Sequence, residues 1–152
     1  MLAHALKVNR VIATAAALSL SVMAAQAQDG EYGVLMKTLA NPFWGAMGEG
    51  VEAGAQEAGV AYFVQAVEND QAAEPQLNVC NTMLERSPVA MITAAINSTN
   101  LLPCLRNAQE RGIKVVDLDG NLDPDVLSAE GIEITFRIGS DNVDAGSPCL
   151  GT

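Results

Sequence analysis

The run YGVLMKTLANPFWGAMGEGVEAGAQEAG, Tyr32 to Gly59, reads as a strand, a loop and a helix in that order. Tyr32–Lys37 is an apolar run of strand length. Asn41-Pro42 then opens a helix: Asn is a good N-cap, and proline suits the first helical position, where its missing N–H has no partner to lose. Met47, Val51, Gly54 and Ala58 recur at helical spacing, and Gly59 fits the stop.

The same alternation continues along the chain. Strands are expected at Val60–Val67, Val89–Ala94, Ile113–Leu118 and Ile132–Ile138. Helices are expected at Gln71–Arg86, with Leu77, Cys80 and Leu84 on one face, and at Asn100–Arg111, with Leu101, Cys104, Leu105 and Ala108 inward and Gly112 ending it. Ser98 or Asn100 is the expected N-cap of the latter. A loop or helical turn covers Asp123–Glu130. Strands alternating with helices form right-handed βαβ units. The expected fold class is therefore α/β, a doubly wound parallel sheet of order 2-1-3-4-5. Ligands of such sheets bind outside the carboxyl ends of the strands. That rule selects Lys37–Trp44, Glu68–Gln71, Ala95–Thr99, Asp119–Asn121 and Gly139–Asn142.

Composition bounds the function. In 152 residues, 8 Lys and Arg face 18 Asp and Glu, a formal charge of −10. Nucleic acid is not an expected partner, because phosphate binding needs clustered Lys and Arg; anionic lipid is disfavoured for the same reason. A hydrophobic fraction of 49% is enough for a packed core. Aromatics make up only 4%, yet Phe43 and Trp44 are adjacent.

Residues 1–27 read as a secretory signal: His4, Lys7 and Arg10 form a basic start, Val11–Ala25 is apolar, and Ala25-Gln26-Ala27 fits the small-x-small rule for cleavage before Gln28. The apolar run is short and Ala-rich for a membrane span. Cleavage removes both cations and the one histidine but no acid, so the remaining chain is still more acidic. The expected destination is the periplasm, where disulfides persist.

The strand ends carry the candidate chemistry. A flat ring such as Phe43 or Trp44 suits the C–H face of a pyranose, and planar polar groups suit its hydroxyl rim. The plainer reading is that Asn41 only caps the helix, the two aromatics are core, and Lys37 is solvated. Asp119 ends the fourth strand on the same face as Asp117; it is either a ligand acceptor or, with Gly120, a turn. Asn97 follows the third strand and either binds ligand or serves the start of the third helix.

Several chemistries lack material. There is no G-x-G-x-x-G after the first strand, no Walker loop and no G-x-S-x-G. The acidic runs lack calcium-loop spacing. Once the signal is removed no histidine remains for a catalytic triad or a metal centre. No cofactor, metal or catalytic residue is expected, and the protein is not expected to be an enzyme. The three cysteines are Cys80, Cys104 and Cys149. The second and third helices lie side by side on one face of a 2-1-3-4-5 sheet. Cys80 and Cys104 are therefore either a disulfide, worth about 3 kcal/mol in the loop-entropy model, or two buried thiols. Cys149 is left over.

Three stretches together resemble the periplasmic sugar-binding proteins of the ribose, allose and galactose type that feed ABC importers. They are VLMKTLANPFWGAMGEGVEAGAQEAG (Val34–Gly59), INSTNLLPCLRNAQERGIKVVDLDGNLD (Ile96–Asp123) and IGSDNVDAG (Ile138–Gly146). Within the first, K-T-L-x-N-P-F-W (Lys37–Trp44) is similar to the allose-binding branch. The resemblance spans roughly Glu31 to Gly146.

It implies that Asn41 bonds sugar hydroxyls, Phe43 and Trp44 flank the ring, Lys37 is a polar contact and Asp119 accepts from hydroxyls. Gly139, Ser140, Asp141 and Asn142 would form the hinge into a second lobe. Gly120 stands where the ribose type has an arginine, which weakens a ribose assignment. It further implies a monosaccharide ligand, an inner-membrane ABC permease as partner and a monomeric state.

Residues 28–146 would be the N-terminal lobe. Residues 147–152 do not continue the expected helix, so the chain is read as a truncated or frame-shifted version without its second lobe. The rival readings are a sugar-sensing or chemotaxis module and a periplasmic α/β enzyme.

Overall fold

A computed structural model describes residues 30–139. The signal segment, Ser140, Asp141, Asn142, Cys149 and residues 147–152 lie outside the described residues.

Nine elements alternate: β1 (Glu31–Leu35), α1 (Pro42–Ala58), β2 (Ala61–Gln65), α2 (Ala73–Leu84), β3 (Ala90–Thr93), α3 (Leu102–Glu110), β4 (Lys114–Leu118), α4 (Pro124–Ala129) and β5 (Phe136–Ile138). The strands form one sheet of order β2-β1-β3-β4-β5. All four pairings are parallel, with Leu35 opposite Gln65 and Thr93, and Asp117 opposite Thr93 and Arg137. The expected α/β doubly wound sheet is the fold observed.

Local chemistry sets the element ends. Asn41 is the N-cap of α1, with its side chain accepting from the Phe43 N–H and Pro42 following it. Gly59 closes α1 at φ 64°, a left-handed turn open to glycine at little cost. Asp123 caps α4 by accepting from the N–H groups of Asp125 and Val126.

Two helical expectations differ. The buried residues of α1 are Trp44 and Ala55, whereas Gly54 and Ala58 are exposed. The stripe runs Trp44, Met47, Val51, Ala55, because Trp44 turns inward and carries the face with it. At α3 the cap position is Leu101, with no side-chain cap bond, rather than Ser98 or Asn100. Asn97 instead folds the preceding loop into its own turn, accepting from the N–H of Thr99 (3.0 Å) and of Asn100 (2.8 Å).

The last strand is also shorter than Ile132–Ile138. Ile132 and Ile134 are hydrophobic because they plug the core from the loop after α4, not because they lie in a strand. The Ile132 N–H donates to the carbonyl of Leu127, extending the α4 exit.

The core has two parts, one on each side of the sheet. On the α2–α3 side, Leu35, Met83, Leu84, Met91, Leu101, Leu105 and Val115 are all 2% exposed or less. Cys80 and Cys104 lie there fully buried and are joined in a disulfide, with Cα atoms 6.1 Å apart. On the α1 side a smaller cluster holds Trp44, Ala94 and Leu118, with Met47 and Ile92 packed against it.

Order 2-1-3-4-5 reverses direction between β1 and β3. The chain leaves β1 toward one edge and returns to start β3 on the other side, so the loops after these strands diverge and leave a crevice. The Ala94 N–H to Leu35 carbonyl bond, 2.8 Å, is the last rung joining the two strands. Lys37 and Asn97 both follow that rung.

Candidate functional site

The loop after β1 places Lys37 with its side chain only 11% exposed. Its Nζ donates to Oδ2 of Asp119 at 2.8 Å and lies 4.9 Å from the centroid of the Trp44 ring. Lys37 is therefore not simply solvated. It is held between a carboxylate and the negative face of an indole, both of which attract its positive charge.

Asp119 sits immediately after β4 in the left-handed region, φ 71°, and Gly120 follows at φ 64°. Aspartate is one of the few non-glycine residues that visit this region, because its short polar side chain can hydrogen-bond locally. The Asp119 N–H donates to the Ile138 carbonyl at 2.8 Å, which fixes the turn. Asn121 completes it by donating from Nδ2 to the Ala95 carbonyl at 3.0 Å, and it stands 3.5 Å from Oδ2 of Asp119. Lys37 and Asn121 thus share Oδ2.

The two aromatics behave differently. Trp44 is 4% exposed and packs into the α1-side core, while Phe43 is 53% exposed. Their rings meet edge to face, 4.9 Å between centroids at 85°. Trp44 supports both Lys37 and Phe43, and Phe43 presents the free ring. Asn41 does cap the helix, through Oδ1, which leaves its N–H pair for other partners. A cleft of about 320 Å³ is lined by Phe43, Met47, Leu118, Asp119, Ile138 and Gly139. Gly139, the first of the expected hinge residues, therefore borders the same space.

Asn97 lies at the neighbouring mouth, after β3. Its Oδ1 is taken by the Thr99 and Asn100 N–H groups, so it can offer a ligand only its N–H donors. The structure thus brings Lys37, Phe43, Trp44 and Asp119 into one connected group and sets Asn41 and Asn97 at its borders. Asn121 is a polar member that the residue reading did not single out. Its place two residues beyond Asp119, within the last strand-end segment before β5, was the available signal.

Below the mouth, Asp117 is fully buried, and neither of its oxygens has a hydrogen-bond partner among the described residues. Burial pushes its carboxyl above the ordinary 3.8, and the Arg137 guanidinium, with Nε 3.5 Å from Oδ2, pulls the other way. Two larger clefts, of about 560 and 550 Å³, lie under α4 and beside β2. The cleft beside β2 also carries polar side chains, Gln65, Asn78, Thr82, Glu85 and Arg86, but it lies away from the carboxyl ends of the strands where Lys37 and Asp119 meet. Among the described residues no group of His, Cys, Asp and Glu is placed to hold a metal ion, and no helix is long and apolar enough to cross a membrane.

Residues 32–148 match the model of a periplasmic binding protein domain. The chain is 32% identical to the D-allose-binding periplasmic protein of Escherichia coli over 77% of its own length and 38% of that protein's. It is 29% identical to a D-ribose/D-allose-binding protein of Pseudomonas aeruginosa over 87% of this chain and 43% of the relative. Among solved structures, a periplasmic solute-binding protein of an ABC transporter from Actinobacillus succinogenes, with bound D-allose, superposes with a TM-score of 0.71 at 28% identity. That match covers 77% of this chain and 41% of the other. The chain therefore spans about two fifths of the length of the relatives it matches, and these are named as binding proteins, not enzymes.

Proposed function

The chain belongs to the periplasmic binding protein domain family, and on that premise we propose that it is a sugar-binding lobe of the solute-binding component of a carbohydrate ABC importer. The observation that carries this reading is the Lys37–Asp119–Trp44 group with the exposed Phe43 ring beside it. A pyranose presents hydroxyls at its rim and C–H groups on its faces. Asp119 Oδ1 accepts from adjacent hydroxyls, the N–H groups of Asn41 and Asn97 donate to them, and Phe43 covers a face. The ligand is a monosaccharide of the allose type, in keeping with the sugars for which the relatives are named and with Gly120 in place of a charged side chain.

Binding does not require catalysis. Among the described residues at the mouth no nucleophile is paired with a base, and in this reading the group holds and releases its ligand unchanged. The sugar is enclosed between this lobe and a second one, which excludes water and strengthens each hydrogen bond. Gly139, at the border of the cleft, leads out of this lobe toward the crossing between them, and the loaded monomer delivers the sugar to an inner-membrane permease. The basic, apolar and small-residue pattern of residues 1–27 supports export to the periplasm with cleavage before Gln28.

The test is an amide-correlation NMR titration of the chain with D-allose, D-ribose and D-galactose. The expected result is a saturable shift confined to Lys37–Trp44, Asn97 and Asp119–Asn121, strongest with D-allose. Shifts absent from these segments at saturating sugar overturn the reading.

A further inference from the structure

Gln76 is a polar residue where the α2 stripe should be apolar. It lies four residues before Cys80 and eight before Leu84, and it is fully buried. Its amide is satisfied on both sides. Nε2 donates to the Ala94 carbonyl at 2.8 Å and reaches the Met36 carbonyl at 3.4 Å. Oε1 accepts from the Ile96 N–H at 3.1 Å and from Nδ2 of Asn100 at 2.8 Å. These partners sit where the ladder between β1 and β3 ends. Past the Ala94–Leu35 rung the two strands part, and Gln76 bonds backbone groups on both sides of the gap.

From Gln76 a chain of amides runs outward. Asn100 Oδ1 accepts from the Asn97 N–H at 3.2 Å, and Asn97 Oδ1 accepts in return from the Asn100 N–H at 2.8 Å. Asn100 Nδ2 also reaches the Ala73 carbonyl at 3.3 Å, tying the relay to the start of α2. On the other side, Met36 is the residue before Lys37, and Lys37 holds Asp119.

We propose that Gln76 is the positioning residue of the strand-mouth site, setting Lys37 through the Met36 carbonyl and Asn97 through Asn100. This rests on the sugar-binding reading for its purpose, but the relay itself can be measured without sugar. It further implies that Asn97 meets the ligand only as a donor, because the relay consumes its acceptor.

The experiment compares Gln76→Met, which keeps length and removes every bond, with Leu127→Ala, a core loss under α4 remote from the mouth. Amide hydrogen exchange is read at Thr99 and Asn100, whose N–H groups Gln76 does not touch, against Met91 and Val115 in the core. Gln76→Met is expected to speed Thr99 and Asn100 by about tenfold relative to the core residues, as for a local opening; Leu127→Ala is expected to leave that ratio unchanged. Asn100→Asp, which replaces the donor to Gln76 by an acceptor, is expected to give the same local pattern at Thr99 and serves should Gln76→Met not fold.

Unchanged ratios at Thr99 in both mouth variants overturn the proposal, as does an equal rise across the whole sheet. With D-allose, the mouth shifts should vanish in Gln76→Met and persist in Leu127→Ala. Persistence in both also overturns it. A wild-type chain with no sugar shifts removes the sugar reading alone, and the exchange ratios still decide the relay.

Discussion

The ammonium of Lys37 lies 2.8 Å from Oδ2 of Asp119, so the mouth of β1 is bonded to the mouth of β4 over the top of β3, which runs between them. The pair is partly sheltered, with side chains 11% and 29% exposed. It fixes the Lys37 side chain beside the Trp44 ring.

Asp119→Asn isolates this bond, since Asn is nearly the same shape and tolerates the left-handed backbone at φ 71°. Solvent screening discounts the loss, so the variant should destabilise by about 1–2 kcal/mol in urea denaturation. The sugar-induced shifts at Lys37 should disappear as well. Unchanged sugar shifts would show that Asp119 serves the turn only.

The two aromatics should separate stability from binding. Trp44→Ala empties a buried position and is expected to cost about 3–5 kcal/mol. Phe43→Ala removes a ring that is 53% exposed and should move stability by no more than about 0.5 kcal/mol. Calorimetric unfolding reads the first effect, and the NMR titration reads loss of sugar binding in the second.

Asp117 gives a pH dependence of definite sign. Its folded pKa stands above the unfolded 3.8 because burial disfavours the charged form more than Arg137 restores it. The folded chain therefore binds more protons, and this group's contribution is fully present below pH 3.8. It is lost as pH rises through the raised folded value. Asp117→Leu should abolish that fall and stabilise the chain at neutral pH by about 1–3 kcal/mol, leaving Arg137 able to reach water. Denaturation midpoints measured from acid to neutral pH check it; equal slopes in the two proteins would sink the assignment.

The Cys80–Cys104 bridge closes a loop of sequence separation 24 and joins α2 to α3. Reduction should cost about 3 kcal/mol by releasing loop entropy in the unfolded chain. Denaturation with and without reductant measures it. A thiol count on the unreduced, unfolded protein should find Cys80 and Cys104 both blocked.

Much of this was legible before any coordinates. Asn41-Pro42 and Gly59 mark both ends of α1 because caps are local chemistry, and the alternation of strands with helices points to a parallel sheet. Residues whose roles are tertiary were not legible. Ile132 and Ile134 look like a strand because apolar alternation does not distinguish pairing from plugging a core. Phe43 and Trp44 read either as ligand rings or as core, and helix rotation divides the pair, turning Trp44 inward and leaving Phe43 out. Gln76 and Arg137 carry no local signature, since each acts only through residues that the fold brings to it.

Trp44 is the sole tryptophan in the chain, and the Lys37 ammonium stands 4.9 Å from its ring. An indole's emission colour follows the electric field across it, and here a nearby cation, held by Asp119, contributes to that field. The mouth is thus a built-in optical probe. Whatever draws Lys37 off the ring should shift the fluorescence of an unlabelled protein.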